Sequence, residues 1–259
     1  MGIHETAIID RGAELGKDVK IGPFCVVESG TQIGDGAEIR SHAVIKTGTR
    51  IGAECRIHHG AVLGGEPQDV KFQGEESYLT IGRGTEVREY VTAHRADGEG
   101  ESTQIGEGCM IMANSHIAHN CRIGDGVTMA NLSTLGGFVT VGERAFLGGV
   151  CAVHQFVHIG DYVMLGGGCT LLEDVPPYMM ATGGHRPPVC GLNTVGLMRA
   201  GFSEETRKIL RQVYRILFKQ GLKTEDAAGL LKEKFGDVEE VVRIIDFLAA
   251  TKRGISAGR

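Results

Sequence analysis

The chain has 259 residues, of which 40 are glycine, 7 cysteine and none tryptophan, with aromatics at 5% and charged residues at 23%. That length builds a full core without disulfides, and the charged fraction excludes a disordered or collagen-like chain, although the glycine share is about twice the usual ~7%. No stretch approaches the ~18 apolar residues that would cross a bilayer. The net charge of −5 hides an asymmetry: residues 1–175 carry 13 Lys and Arg against 23 Asp and Glu, whereas residues 176–259 carry 14 against 9. A basic tail on an acidic body points to an acidic partner for the tail. The N-terminus lacks a cationic stretch followed by an apolar one, so no export signal is expected and the chain is placed in the cytoplasm.

The first signal along the chain is a period of six. Of the 29 positions taken every sixth residue from Ile3 to Leu171, 25 are Ile, Leu, Val or Met. The exceptions, Asp69, Glu75, Ala93 and Glu99, fall near 64–80 and 94–104, which read as loop insertions. Two residues before each aliphatic position lies a column of small side chains such as Ala7, Cys25, Ala43, Cys109, Ser133 and Cys169, and glycine often follows, as at Gly16, Gly34 and Gly52. Such a period fits very short strands joined by tight turns, with the aliphatic side chains stacked inward from coil to coil and glycine relieving the corners. The Ile-Gly-x-x-x-x pattern resembles the hexapeptide-repeat transferase family. The resemblance implies a mainly β fold, a left-handed parallel β-helix of triangular section with three hexads per coil, over residues 1–175.

Asp174-Val175-Pro176-Pro177-Tyr178 closes the repeat, because proline cannot donate to a ladder. Residues 176–202 read as a connecting loop and 203–259 as a C-terminal α-helical subdomain. Three helices are expected there, from Ser203 to Lys219, Thr224 to Phe235 and Val238 to Thr251, with Ser203 and Thr224 as N-caps and Gly221, Gly236 and Gly254 as stops.

Six of the seven cysteines sit in the small-residue column, where they read as compact apolar filler. None of the nine histidines within residues 1–175 occupies an inward column, so each is expected on an outer face or corner in contact with solvent. The segment Asn114-Ser115-His116-Ile117-Ala118-His119-Asn120 places two histidines about one inward isoleucine, and strand alternation separates them, against a metal site. One coil beyond His119 lies Gly137, and a second coil reaches Gln155 beside His154, so the His119 imidazole faces a bare backbone at ~5 Å. An imidazole, with its ordinary pKa of ~6.5, can take a proton from a hydroxyl, and a glycine N–H can hold an oxyanion, which together suit acyl transfer. No Gly-x-Ser-x-Gly elbow is present, so direct attack by the acceptor is expected.

The motifs His116-Ile117-Ala118-His119-Asn120-Cys121, Ala152-Val153-His154-Gln155-Phe156, Gln68-Asp69-Val70-Lys71, Asp174-Val175-Pro176-Pro177-Tyr178 and Gly191-Leu192-Asn193 narrow the resemblance. They are similar to those of the acyl-carrier-protein-dependent acyltransferases of UDP-N-acetylglucosamine that open lipid A synthesis. That resemblance implies transfer of a 3-hydroxyacyl chain from the 4'-phosphopantetheine of acyl carrier protein to the glucosamine 3-position. It also implies a homotrimer with active sites at subunit interfaces, and no bound cofactor, metal or nucleic acid. By the same resemblance His119 is the general base and the Gly137 N–H the oxyanion donor. His94, His116, His154 and Gln155 would line the cleft, Asp69 and Lys71 would reach sugar and phosphate from the first loop, and Asn193 and Arg199 would meet acyl or nucleotide groups. Gly167 matches the position that gauges acyl length, and a glycine there implies a long chain. Arg207, Arg211 and Arg215, four residues apart on one helix with Lys208 beside them, would form the carrier-protein patch. Phe138 stands where related members have a histidine, and Val195 and Ala200 replace polar residues. A 3-amino sugar acceptor therefore stays open, as do a coenzyme A-dependent transferase, a metal-dependent lyase on the same scaffold, and a binding protein without catalysis.

Overall fold

The computed structural model describes residues 2–259. Most hexads contribute a strand of two residues, one outward and one inward, as in Val44–Ile45 and His116–Ile117, and the chain turns a corner after each. The strands assemble into sheets of nine, eight and ten members that form the three faces of a left-handed parallel β-helix. Val26 pairs with Val44 and Val44 with Val62, one plain coil of three hexads each time. Val62 then pairs with Thr92, and Thr92 with His116, so the coils that carry the two insertions are longer by two hexads and by one. Because whole hexads are added, the inward aliphatic column continues in phase beyond them. Ala93, expected in a loop, is instead a buried inward residue of strand Thr92–His94, paired with Leu63 and Ile117. Backbone pairing holds the strand there, and a methyl suffices at the inward position.

Where a glycine follows the inward aliphatic, as at Gly16, Gly34 and Gly52, the next coil demands it. A Cβ on Gly52 would lie 2.7 Å from the Arg83 nitrogen. The left-handed turn position comes two residues later and is commonly not glycine: Glu54, Phe24, His42, Asn120 and Phe138 all have φ between 58° and 62°. Coil-on-coil approach, rather than corner dihedrals, fixes these glycines. The column cysteines are buried as expected and also donate weakly to a corner carbonyl of the next coil, Cys25 to Arg40 at 3.0 Å and Cys121 to Gly136 at 3.2 Å. Burial pushes the Cys121 thiol up to about 12.

Residues 176–202 are more ordered than a connecting loop. Met179–Ala181 pairs in parallel with Met164 and Leu165, Val189–Leu192 returns antiparallel to it, and α1 (Thr194–Arg199) follows. Beyond Pro177 the backbone donors resume, and the apolar side chains of Met179, Ala181, Val189 and Leu192 close the top of the core. Then come α2 (Glu204–Lys219), α3 (Thr224–Phe235) and α4 (Glu239–Ala250). Ser203 caps α2 by accepting from the Thr206 N–H at 3.0 Å. Thr224 is already helical, and the extended Lys223 before it makes no side-chain cap. Gly221 and Gly254 adopt left-handed φ of 67° and 73°, while Gly236 stays helical at −60°.

The two ends of the prism differ. The first coil is open, with Ile3 53% and Ile8 67% exposed. The last is clasped: the buried Asp174 carboxylate accepts from the His158 N–H at 2.7 Å and from the Thr251 hydroxyl, and Arg253 donates to Leu172 at 2.7 Å. Among the described residues no helix is long and apolar enough to cross a membrane.

Candidate active site

The corner between the first and second sheets carries the chemistry. His116 points outward from its strand, Ile117 inward, and two residues later the chain reaches His119 at the turn. Gly136 and Gly137 occupy the same corner one coil on, and His154 and Gln155 the coil after. With Gln68, Asp69 and Val70 of the first insertion they line a cleft of about 580 Å³. A larger hollow of about 720 Å³ beside the open N-terminal coils is walled mainly by Ile3, Ile21, Ile39, Pro23 and the Lys20–Glu38 ion pair, far along the prism from this constellation.

His119 is 8% exposed, and its ring lies directly over Gly137: a Cβ there would sit 2.7 Å from Nε2 and 2.8 Å from Cε1. Its other nitrogen, Nδ1, is 2.9 Å from Asn120 Oδ1. The Asn120 amide is oriented by the second insertion, since Oδ1 accepts from the Asp97 N–H at 2.8 Å and Nδ2 donates to the Asp97 carbonyl at 3.0 Å. Oδ1 is therefore an acceptor, so Nδ1 of His119 carries the proton and Nε2 keeps its lone pair toward the cleft. The Gly137 N–H donates to no acceptor among the described residues. At the matching turn position the N–H is bonded in some coils, Lys17 by Asp35 at 2.7 Å and Glu107 by Asp125 at 2.7 Å, and unbonded in others, as at Ala53, Arg83 and Gln155; at Gly137 it is unbonded directly beneath a histidine ring. A base with a free lone pair thus stands beside an unspent backbone donor, the two groups that acyl transfer from a thioester to a hydroxyl needs.

His4, His42, His59 and His154 are exposed as expected, whereas His94, His116 and His58 are less solvated. His94 is buried against His116, edge to face at 4.9 Å, and its Nδ1 has no hydrogen-bond partner. Burial, reinforced by the neighbouring His116 and His119, lowers its pKa to about 4, so it stays neutral in the working range. Burial also lowers His116, whose Nδ1 lies 2.7 Å from the Thr92 hydroxyl. His58, away from the cleft, is buried between the carboxylates of Glu86 at 2.9 Å and Glu89 at 3.2 Å, a structural contact. His154 and Gln155 are exposed.

Known proteins share this architecture along its whole length. The profile described as "Udp N-acetylglucosamine O-acyltransferase; Domain 2" matches residues 174–256, and the bacterial transferase hexapeptide profile matches residues 12–47, 30–65 and 102–137. An acyl-[acyl-carrier-protein]--UDP-N-acetylglucosamine O-acyltransferase of Trichlorobacter lovleyi is 50% identical over 100% of both chains, and one of Aquifex aeolicus is 55% identical over 99% of this chain and 98% of that one. The solved structure of LpxA from Acinetobacter baumannii superposes with a TM-score of 0.95 at 38% identity, covering 99% of each chain. The chain belongs to the UDP-N-acetylglucosamine O-acyltransferase family.

In this family member, His94, His116, His119, Gly137, His154, Gln155 and Asp69 come together in one chain. Lys71 is exposed on the same loop but does not line the cleft, and its N–H is taken by Asp69 Oδ1 at 2.9 Å. Asn193 and Arg199 also lie outside their own chain's cleft. The Asn193 amide caps α1, accepting from Gly196 at 3.1 Å and donating to the Tyr162 carbonyl at 2.8 Å, while Arg199 is exposed at the end of α1 beside exposed Val195 and Met198. Ala200 is the C-cap. Phe138 packs edge to face on His119 at 5.3 Å and stacks on Phe156 at 5.0 Å. Gly167 is exposed, with only the Gly149 backbone beside it. Asn120 escapes sequence reasoning, which sees the two histidines and treats the residue after them as part of the turn. Its signal is its position, directly after His119.

Proposed function

We propose that this acyltransferase moves a 3-hydroxyacyl chain from acyl carrier protein to the 3-hydroxyl of UDP-N-acetylglucosamine, the opening step of lipid A synthesis, in the cytoplasm. The observation that carries the mechanism is His119 Nε2, held with a free lone pair over the Gly137 backbone. His119 takes the proton as the sugar oxygen attacks the thioester carbonyl, and the Gly137 N–H donates to the oxyanion that forms. Collapse of the tetrahedral intermediate forms the ester and breaks the C–S bond, and the imidazolium returns its proton to the departing pantetheine thiolate. No bound cofactor takes part in this route. Asp69 and Lys71 meet the sugar nucleotide from the first loop. The exposed apolar corners at Leu132, Val150 and Phe156 favour a trimer of prisms, and the position of Asn193 and Arg199 away from their own cleft fits sites completed by a neighbouring subunit.

The assay that tests this reading offers the purified enzyme 3-hydroxyacyl carriers of graded length, the matching coenzyme A thioesters, and both UDP-N-acetylglucosamine and its 3-amino analogue. Ester formation from long-chain carriers is expected, because Gly167 adds no side chain to the groove. Preference for a short chain would overturn the length reading, and faster reaction of the amine would reassign the acceptor, as Phe138 in place of a polar group leaves room for.

Arg211 and Arg215 are exposed and make no ion pair among the described residues, whereas Lys208 is paired with Glu204 at 2.9 Å and Arg207 donates back to the Ser203 carbonyl at 3.3 Å. The two free guanidinium groups are the stronger half of the proposed carrier-protein patch. Reversing both to Glu is expected to raise KM for the acyl carrier about tenfold or more while leaving KM for the sugar nucleotide unchanged. Unaltered carrier kinetics would remove the patch from the mechanism.

A further inference from the structure

The loop that brings Asp69 to the cleft departs from the β-helix at Gly65 and rejoins it at strand Tyr78–Ile81. Between residues 66 and 75 it has no ladder, and its hydrogen bonds are internal: Asp69 to Lys71 and Phe72, Gln73 to Lys71 and Glu75. One side chain from outside reaches it. Arg95, only 13% exposed, lies 3.6 Å from the Glu66 carboxylate, sets its guanidinium over the Phe72 ring at 5.1 Å, and donates to the Glu75 carbonyl at 3.5 Å. It touches the beginning, middle and end of the segment. The backbone secures its root, since the Arg95 N–H donates to the Gly65 carbonyl at 2.9 Å while the ring of the preceding residue, His94, covers Gly65.

We propose that Arg95 is the positioning residue that sets the acceptor-contacting loop at the mouth of the cleft. The inference rests on the reading that Asp69 and Lys71 contact the sugar nucleotide. A planar, permanently charged group suits this task, because it can pair with a carboxylate, stack on an aromatic face and donate to a carbonyl at once, which a lysine ammonium cannot. Without it the loop keeps its internal turn but loses its place relative to His119 and Gly137.

Lys71 is the only Lys or Arg between residues 66 and 77, so trypsin reports on this segment directly. In Arg95→Met, cleavage after Lys71 is expected to quicken about tenfold, and KM for UDP-N-acetylglucosamine to rise about tenfold, while kcat and KM for the acyl carrier stay within about twofold. Arg95→Lys, which keeps the Glu66 pair, is expected to recover part of both effects, and Phe72→Leu to reproduce them more weakly. An unchanged cleavage rate in Arg95→Met overturns the grip itself. Faster cleavage with unchanged acceptor KM overturns the positioning role. Asp69→Ala and Lys71→Ala separate the causes: if they too leave acceptor KM unchanged, the loop-contact reading has failed, and if they raise it, only the assignment to Arg95 has.

Discussion

His119→Ala is expected to lower kcat/KM for acyl transfer by about 10²–10⁴-fold, the range that one well-placed general base contributes. The chemistry leaves little to replace it. His116 is bonded to Thr92 through Nδ1, His94 is held neutral in a buried contact, and neither lies over the Gly137 backbone. The fold should survive, since the inward columns do not include residue 119 and Asn120 keeps its two bonds to Asp97. Steady-state kinetics beside a thermal melt check this. A variant that stays folded and retains full activity would show that the cleft is a binding site and not a catalytic one.

Gly137→Ala carries the second large effect. The new methyl would need to occupy a point 2.7 Å from His119 Nε2 and 2.8 Å from Cε1, so the ring must move. Its Nδ1 is tied to an amide that is itself fixed, so movement means losing either the bond to Asn120 or the aim of Nε2. Misplacement of a catalytic group by about 1 Å commonly costs ~100-fold in rate, and a loss of that size in kcat is expected. The stability penalty of a single crowded methyl is about 1–3 kcal/mol, small enough for the enzyme to be purified and assayed. Wild-type kcat in Gly137→Ala would mean that the base works from another position during the reaction.

The scaffold is legible in the sequence because a hexad repeat is redundant. Ile21, Ile39, Ile57, Val87 and Ile111 announce one another, and a stacked column follows from any few of them. Glycine is harder to interpret: Gly52 looks like a turn residue in sequence, yet it answers to Arg83, a partner displaced by the first insertion, and only the coil-to-coil distance reveals it. The helix and strand content of 176–202 is hidden by two prolines, which stop a ladder locally but say nothing about Met179–Ala181 just beyond them. In the site, spacing alone brings His119 to Gly137, because a plain coil always takes the same number of hexads. Asn120 cannot be valued the same way. Its role depends on Asp97, which reaches it from an insertion whose path no periodicity governs. The burial of His58 likewise comes from Glu86 and Glu89 across a coil boundary lengthened by the first insertion.

The difference between the two ends of the prism gives the molecule a direction. In a stack where each coil is supported mainly by its neighbours, loss of structure spreads from whichever end is least supported. Here that is the end bearing Ile3 and Ile8, while the coils of His119, Gly137 and His154 lie toward the end locked by Asp174, Thr251 and Arg253. Fraying can therefore begin far from the base and the oxyanion donor and run out before it reaches them, so that the catalytic corner is among the last parts of the chain to feel thermal wear.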